Sequence, residues 1–119
     1  METSKDRLTK MTSDLAGLRC AACERGTLPN PSARNEELIR QLDPGWELDR
    51  DHIRRSFKLK TFRQAFDLAS KVAAIAEEEG HHPDLEVGWG YLNVTLKTHV
   101  AKGLTDNDFI MAAKIDQIT

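Results

Sequence analysis

One stretch of the chain limits its fold more than any other. From Phe62 onward, Phe62, Ala65, Phe66, Ala69, Val72, Ala73 and Ala76 recur at helical spacing. Thr61 stands ahead of this run with Gln64 three residues on, the pattern of a capping box. Gly80 follows Glu77-Glu78-Glu79 and is a natural helix stop. The spacing predicts one long amphipathic helix near 62–79, with an apolar stripe that must be buried against something.

What lies on either side supplies that surface. Ile53, Arg55, Phe57 and Leu59 share one face at period 2, and Arg54, Ser56 and Lys58 share the other. With Trp46-Glu47-Leu48 before them and Asp49-Arg50-Asp51 as a turn, they read as a β-hairpin. After the helix, Leu85, Val87 and Trp89 alternate with Glu86 and Gly88. Leu92, Val94 and Leu96 alternate with Asn93, Thr95 and Lys97. Residues 84–98 are too many for one typical strand, so the run breaks near Gly90 into a second hairpin.

The ends complete the order. Ser32 or Asn35 is a candidate cap for a short helix with Glu36 and Glu37 in its first turn, Leu38 and Leu42 on its apolar face, and Asp43-Pro44-Gly45 as its stop. Thr105 is a candidate cap for a closing helix over Phe109 to Ile118. The elements follow as α-ββ-α-ββ-α. The expected fold class is α+β: two layers, with a four-stranded antiparallel sheet made of two β-hairpins and covered on one face by helices. Residues 1–18 show little periodicity and are expected to be a flexible N-terminal tail, with the folded domain over 19–119.

Composition narrows the function. The 119 residues carry a net charge of −2, which argues against nucleic acid or an anionic membrane as a direct partner. No apolar run approaches the roughly 20 residues of a membrane span, and the opening METSKDRLTK is mixed-charge and polar. A soluble, cytoplasmic protein is the expectation.

Three histidines carry the chemical signal. His81 and His82 follow the helix stop, and His99 follows the last strand. With a turn near Gly90-Tyr91, antiparallel pairing places residue 82 roughly opposite residue 99. Glu77 lies one helical turn before His81, and Asp108 opens the last helix soon after His99. Three imidazoles and two carboxylates are thus expected at one cleft, with Asp108 near enough to His99 to hold its ring. Each has a plainer reading as well: a structural or exposed histidine, a solvated Glu77, or an Asp108 that only favours the helix dipole. A three-histidine metal site lacks the helix-borne pair of ligands, so no metal is expected.

At these residues the chain resembles the pterin-4a-carbinolamine dehydratases. Glu77, three spacers, His81-His82-Pro83, five spacers, Trp89, nine spacers, His99, eight spacers and Asp108 look like that family's signature. Pro44-Gly45-Trp46, Ile53-x-Arg55-x-Phe57-x-Leu59-x-x-Phe62 and Gly103-Leu104-Thr105 resemble it further, so the likeness covers about residues 15–118. Trp89 stands where many members carry tyrosine. The resemblance implies a hydro-lyase that removes water from 4a-hydroxytetrahydropterin to give quinonoid dihydropterin, recycling the pterin cofactor of aromatic amino-acid hydroxylases. It implies no metal or organic cofactor, a pterin substrate, and a homodimer or homotetramer. His99 and His81 would be general acid and base in undecided order, and His82 would orient the substrate. Glu77 and Asp108 would bias the imidazoles, Pro83 would shape the pocket floor, and the backbone from Thr98 to Val100 would bond the pterin ring. Trp89 reads more simply as core or interface filling.

The same likeness includes non-catalytic proteins, a transcriptional dimerisation cofactor and Rubisco assembly factors, so a protein-binding role is the alternative. Such a role needs an exposed sheet or helix surface, whereas the oligomer contacts that the resemblance implies would fall on exposed faces of Trp46 or the last helix. Cys20 and Cys23 lack a second ligand pair for zinc and a βα context for redox work, and are expected to be reduced packing residues. His52, in the first hairpin turn, is expected to be a surface residue.

Overall fold

A computed structural model describes residues 15–119. The elements are α1 (Ser32–Ile39), β1 (Glu47–Asp49), β2 (His52–Lys58), α2 (Phe62–Glu79), β3 (Asp84–Gly88), β4 (Tyr91–Leu96) and α3 (Asp106–Gln117), with a 3-10 turn at His99–Ala101 between β4 and α3. The four strands form one antiparallel sheet in the order β1-β2-β4-β3. This is the α+β, two-hairpin architecture that the alternating patterns predict.

Each strand sends one face inward. Ile53 and Phe57 of β2 and Leu92, Val94 and Leu96 of β4 are buried with Ala69, Val72 and Ala76 of α2 and with Phe109, Met111 and Ile115 of α3. Fully burying a side chain such as Ile53, Leu92 or Leu96 is worth about 1.5–3 kcal/mol. Among the described residues the opposite sheet face has no such cover, and Arg54, Ser56 and Lys58 are exposed on it. Arg55 is the polar member of the inward row. It lies 4.4 Å over the Phe57 ring and pairs with Asp116 at 2.6 Å and Asp43 at 3.5 Å. Asp116 also accepts from the Trp46 indole at 2.8 Å and from the Asp43 N–H at 3.0 Å, which fixes the Asp43–Trp46 turn against the end of α3.

The helix ends follow the expected chemistry with three differences. Thr61 accepts from the Gln64 N–H at 3.1 Å, but the Gln64 amide reaches back to the Lys60 N–H instead of that of Thr61. Gly80 closes α2 with φ 67°, a left-handed conformation that glycine adopts without cost. In α1 the cap is Pro31, not Ser32 or Asn35. Asn35 is buried inside the helix, because the apolar contacts of Leu38 set the rotation that brings Asn35 inward. The closing helix begins at Asp106, earlier than the apolar run suggests, because Thr105 caps it directly.

Three surface expectations change. The tail expected over 1–18 falls largely on residues 1–14, outside the described residues. From Leu15 onward the chain is docked: residues 15–17 are helical, and Leu15 and Ala16 join the core. Trp46 is buried, held by its indole bond to Asp116, and eight residues of α3 are buried, so neither offers an exposed face. The large exposed aromatics are Phe62, Phe66, Trp89 and Tyr91.

Docking of the N-terminal segment depends on Glu79, whose side chain is 2% exposed at the end of α2. It accepts from the Cys20 N–H at 2.8 Å and pairs with Arg19 at 3.1 Å and Lys114 at 3.7 Å. The Cys20 N–H, then Lys114 and Arg19, hold the Glu79 carboxyl below its ordinary value of 4.5. The Asn107 amide clasps the Ala21 backbone, accepting its N–H and donating to its carbonyl. Glu79→Ala is expected to cost about 1–3 kcal/mol in urea unfolding at neutral pH, through the buried N–H and cations left unpaired. A depressed carboxylate stabilises the fold above its unfolded value and loses that effect as pH falls. The gap between variant and wild type should therefore narrow from about pH 5 toward pH 3.

Candidate active site

Asp108 is the geometric centre of the histidine end of the sheet. It lies at the third position of α3 and is 0% exposed. One carboxylate oxygen, Oδ1, is 2.7 Å from His81 Nε2. The other, Oδ2, accepts from the Thr98 hydroxyl at 2.7 Å and from the Thr105 N–H at 2.9 Å. The hydroxyls of Thr98 and Thr105 are themselves 2.8 Å apart. The end of α2, the end of β4 and the start of α3 thus meet on one buried carboxylate. Because the carboxylate accepts, His81 donates from Nε2, so in the neutral imidazole Nδ1 carries the free lone pair.

His82 has a separate partner. Its Nε2 lies 2.5 Å from Glu77 Oε2, and both side chains are largely exposed. Adjacent residues leave the chain in different directions, so His81 turns in to Asp108 and His82 turns out to Glu77. Pro83 is half-buried between this pair and β3.

His99 sits in a tight loop. Thr98 N–H donates to the Gly103 carbonyl at 2.9 Å, and the Thr98 carbonyl accepts from Ala101 at 3.1 Å and Gly103 at 3.4 Å. Lys102 closes the turn at φ 55°. The N–H groups of His99 and Val100 open this turn, the positions that a short helix leaves without an internal acceptor. The His99 side chain is exposed and has no hydrogen-bond partner among the described residues. Asp108 does not hold its ring, as sequence spacing suggests. It holds His81 instead and reaches His99 only through Thr98, because α3 packs its first turn against the end of α2.

The strand register differs in one respect from the expected pairing. The second hairpin turns on Trp89-Gly90, with Gly90 at φ 79°, and pairs Asp84 with Thr95. Continued by two residues, that register sets His82 against Lys97, not His99. His99 lies past the strand end, in the 3-10 turn. Trp89 is 75% exposed at the hairpin tip, so it does not fill the core of this chain. The five residues of β3 place it about 16 Å of strand from the histidine pair.

Two features of this end escape a reading of the sequence. Thr98 and Thr105 form a buried hydroxyl pair, for which the Thr105 cap is the only hint. His52 is part of a chain on the uncovered face: its Nδ1 lies 3.0 Å from Asp51, which pairs with Lys97 at 3.0 Å, two residues before His99. The bond to His52 and then that to Lys97 lower the Asp51 carboxyl to about 2. Cys20 and Cys23 are free and half-buried around Asn107. Burial, then the Glu79 charge, raises the Cys20 thiol to about 12, which suits an inert packing residue. Among the described residues no three His, Cys, Asp or Glu side chains cluster as a metal cage would require.

A fold of two β-hairpins beneath helices is one that known proteins share. The family model described as pterin 4 alpha carbinolamine dehydratase matches residues 29–118. A protein of Rubrobacter xylanophilus, provisionally named a pterin-4-alpha-carbinolamine dehydratase, is 46% identical over 107 residues, covering 89% of this chain and 99% of the relative. One of Methylococcus capsulatus with the same provisional name is 42% identical over 106 residues, covering 87% and 92%. Among solved structures, a transcriptional coactivator/pterin dehydratase from Brucella melitensis superposes with TM-score 0.70 at 38% identity, covering 76% of this chain and 97% of that one. A pterin dehydratase-like protein identified as a RuBisCO assembly factor in the alpha-carboxysome shares the fold, with TM-score 0.51 at 23% identity over 61% and 84%. The chain belongs to the pterin-4a-carbinolamine dehydratase family.

The buried carboxylate is testable by stability. Thr98→Val is expected to cost about 1–3 kcal/mol in urea unfolding, since it strips one donor from Asp108 and isolates the Thr105 hydroxyl. Asp108→Ala should cost about 3 kcal/mol or more, because three buried donors lose their acceptor together.

Proposed function

We propose that the chain is a 4a-hydroxytetrahydropterin dehydratase, working by histidine acid–base catalysis at the Asp108 end of the sheet. The observation that carries the reading is the buried Asp108 carboxylate. It fixes the tautomer of His81 and, through Thr98, anchors the loop that presents His99. Family membership supports the substrate class.

The reaction needs two proton transfers. A proton must reach the 4a-hydroxyl so that it leaves as water, and a ring nitrogen must lose one so that the quinonoid double bond can form. Imidazoles, with unperturbed pKa near 6.5, serve either transfer near neutral pH. His81, with Nε2–H committed to Asp108, suits the base through Nδ1. His99, without a protein partner, suits the acid. His82, polarised by Glu77 at the surface, orients the pterin, and Pro83 shapes the floor beneath it. The N–H groups of His99 and Val100 are the backbone donors that the ring would meet, since those of Thr98 are consumed in the loop. Neither a metal nor an organic cofactor enters this scheme. Trp89, remote along β3, has no part in it within one chain.

The product would re-enter the pterin cycle of aromatic amino-acid hydroxylation, in a cytoplasmic setting where Cys20 and Cys23 stay reduced. A homodimer or homotetramer fits the exposed Phe62 and Phe66, whose rings stack 6.3 Å apart on α2. The same exposed aromatics favour the second reading, a protein-binding member without catalysis, the kind of role identified for the RuBisCO assembly factor that shares this fold.

A dehydratase assay with chemically prepared 4a-hydroxytetrahydropterin separates the two. Turnover well above the uncatalysed rate is expected, and its absence would leave the binding reading. His99→Ala should lower kcat by about 10²-fold or more, and His82→Ala should raise KM more than it lowers kcat. Circular dichroism checks that each variant stays folded. Chelation should leave activity intact. Loss of activity on removal of one stoichiometric metal would overturn the mechanism.

A further inference from the structure

Among the described residues, the far end of β2, away from the histidines, has an unfilled place in its ladder. β1 pairs with β2 only as far as Glu47 opposite Arg54, yet β2 continues to Lys58. Alternate residues of an antiparallel strand turn their N–H and C=O to opposite sides. Leu59 N–H donates to the Gly90 carbonyl, so Leu59, Phe57 and Arg55 face β4. Ser56 and Lys58 therefore turn their N–H and C=O the other way, past the end of β1. The preceding chain does not close the gap, because Asp43 and Trp46 are bent away and tied to Asp116. A cleft of about 680 Å³ adjoins this edge, with Phe57, Leu68, Lys71 and Ile118 among its walls. None of the residues assigned to the proposed active site lines it.

We infer that the open β2 edge at Ser56 and Lys58 docks an extended peptide strand whose residues alternate between acidic and apolar. The ladder sets the backbone: two donors and two acceptors await a strand antiparallel to β2, in line with β1. The two faces set the side chains. Outward positions of the incoming strand lie beside Arg54 and Lys58, both exposed and without an ion pair among the described residues, so they take carboxylates. Inward positions lie beside Phe57 and the cleft. Arg55 is already matched there by Asp116 and Asp43, and Lys71 shares the cleft with Asp67, so its charges balance and apolar side chains fit against Phe57, Leu68 and Ile118. Exposed edges of this kind are pairing templates unless something covers them.

The test is a titration of the ¹⁵N-labelled full chain with acetylated, amidated Glu-Val-Glu-Val-Glu, and with Lys-Val-Lys-Val-Lys as its charge reversal. The acidic peptide should bind more tightly, shift the Ser56 and Lys58 amides and slow their hydrogen exchange. Ser56→Pro removes one ladder donor at an edge that tolerates proline, and should weaken binding at least about fivefold. Lys58→Glu should reverse the preference between peptides, and it decides alone if Ser56→Pro does not fold. Dehydratase turnover of both variants should match wild type, which keeps this outcome separate from that of the active site. Equal binding of the two peptides, or shifts that bypass Ser56 and Lys58, would overturn the inference. So would an oligomer of the free protein that Ser56→Pro dissociates, since a second copy would then own the edge.

Discussion

The buried Asp108 carboxylate is the interaction on which the histidine end of this molecule, and the chemistry proposed for it, depends. A carboxylate removed from water is costly unless its lone pairs are filled, and here three donors fill them from three elements. The same contacts that satisfy the charge hold the end of α2, the end of β4 and the start of α3 at fixed distances. A stability requirement and a positioning requirement are met by one group. That is why a residue with no exposed surface can govern the geometry of an exposed site.

Around this centre the three histidines divide into different kinds. His81 is an internal ligand of the carboxylate, and the nitrogen proposed to act as base is the one that Asp108 leaves unbonded. His82 is a surface residue with a surface acid. His99 is held by its backbone, on a loop cross-linked between Thr98 and Gly103, while its ring stays without a protein partner among the described residues. An acid–base site gains from such a division, since a proton carrier that is fully bonded within the protein has nothing left for a substrate. The Asp51–His52–Lys97 chain braces the strand that leads into the loop from the uncovered face of the sheet.

A second anchor, Asp116 with Arg55, Trp46 and the Asp43 N–H, stands at the opposite end of α3. It shortens β1 by fixing the turn before it, and so leaves β2 with its open edge. The two ends of one helix thus carry two carboxylates with unlike consequences. One closes a network around the histidines, and the other holds a gap in the sheet.

The sequence alone determined the element order, the length of α2 and the inward faces of the strands. These follow from periodicity and from caps at Thr61, Gly80 and Thr105, which act over a few residues and need no knowledge of partners. It also singled out the residues proposed to carry the chemistry, through the spacing of Glu77, His81, His82, His99 and Asp108. Only the tertiary structure decided who pairs with whom. Asp108 is nearer in sequence to His99, yet it bonds His81 across 27 positions, because α3 packs its first turn on the end of α2. Residues 15–18 look like tail, yet Leu15 and Ala16 are core, because Glu79 and Asn107 on distant helices capture the chain after them. Local pattern fixes a backbone's shape, but the partner of a buried polar group is chosen by whichever donors packing brings within about 3 Å, and sequence distance does not encode that choice.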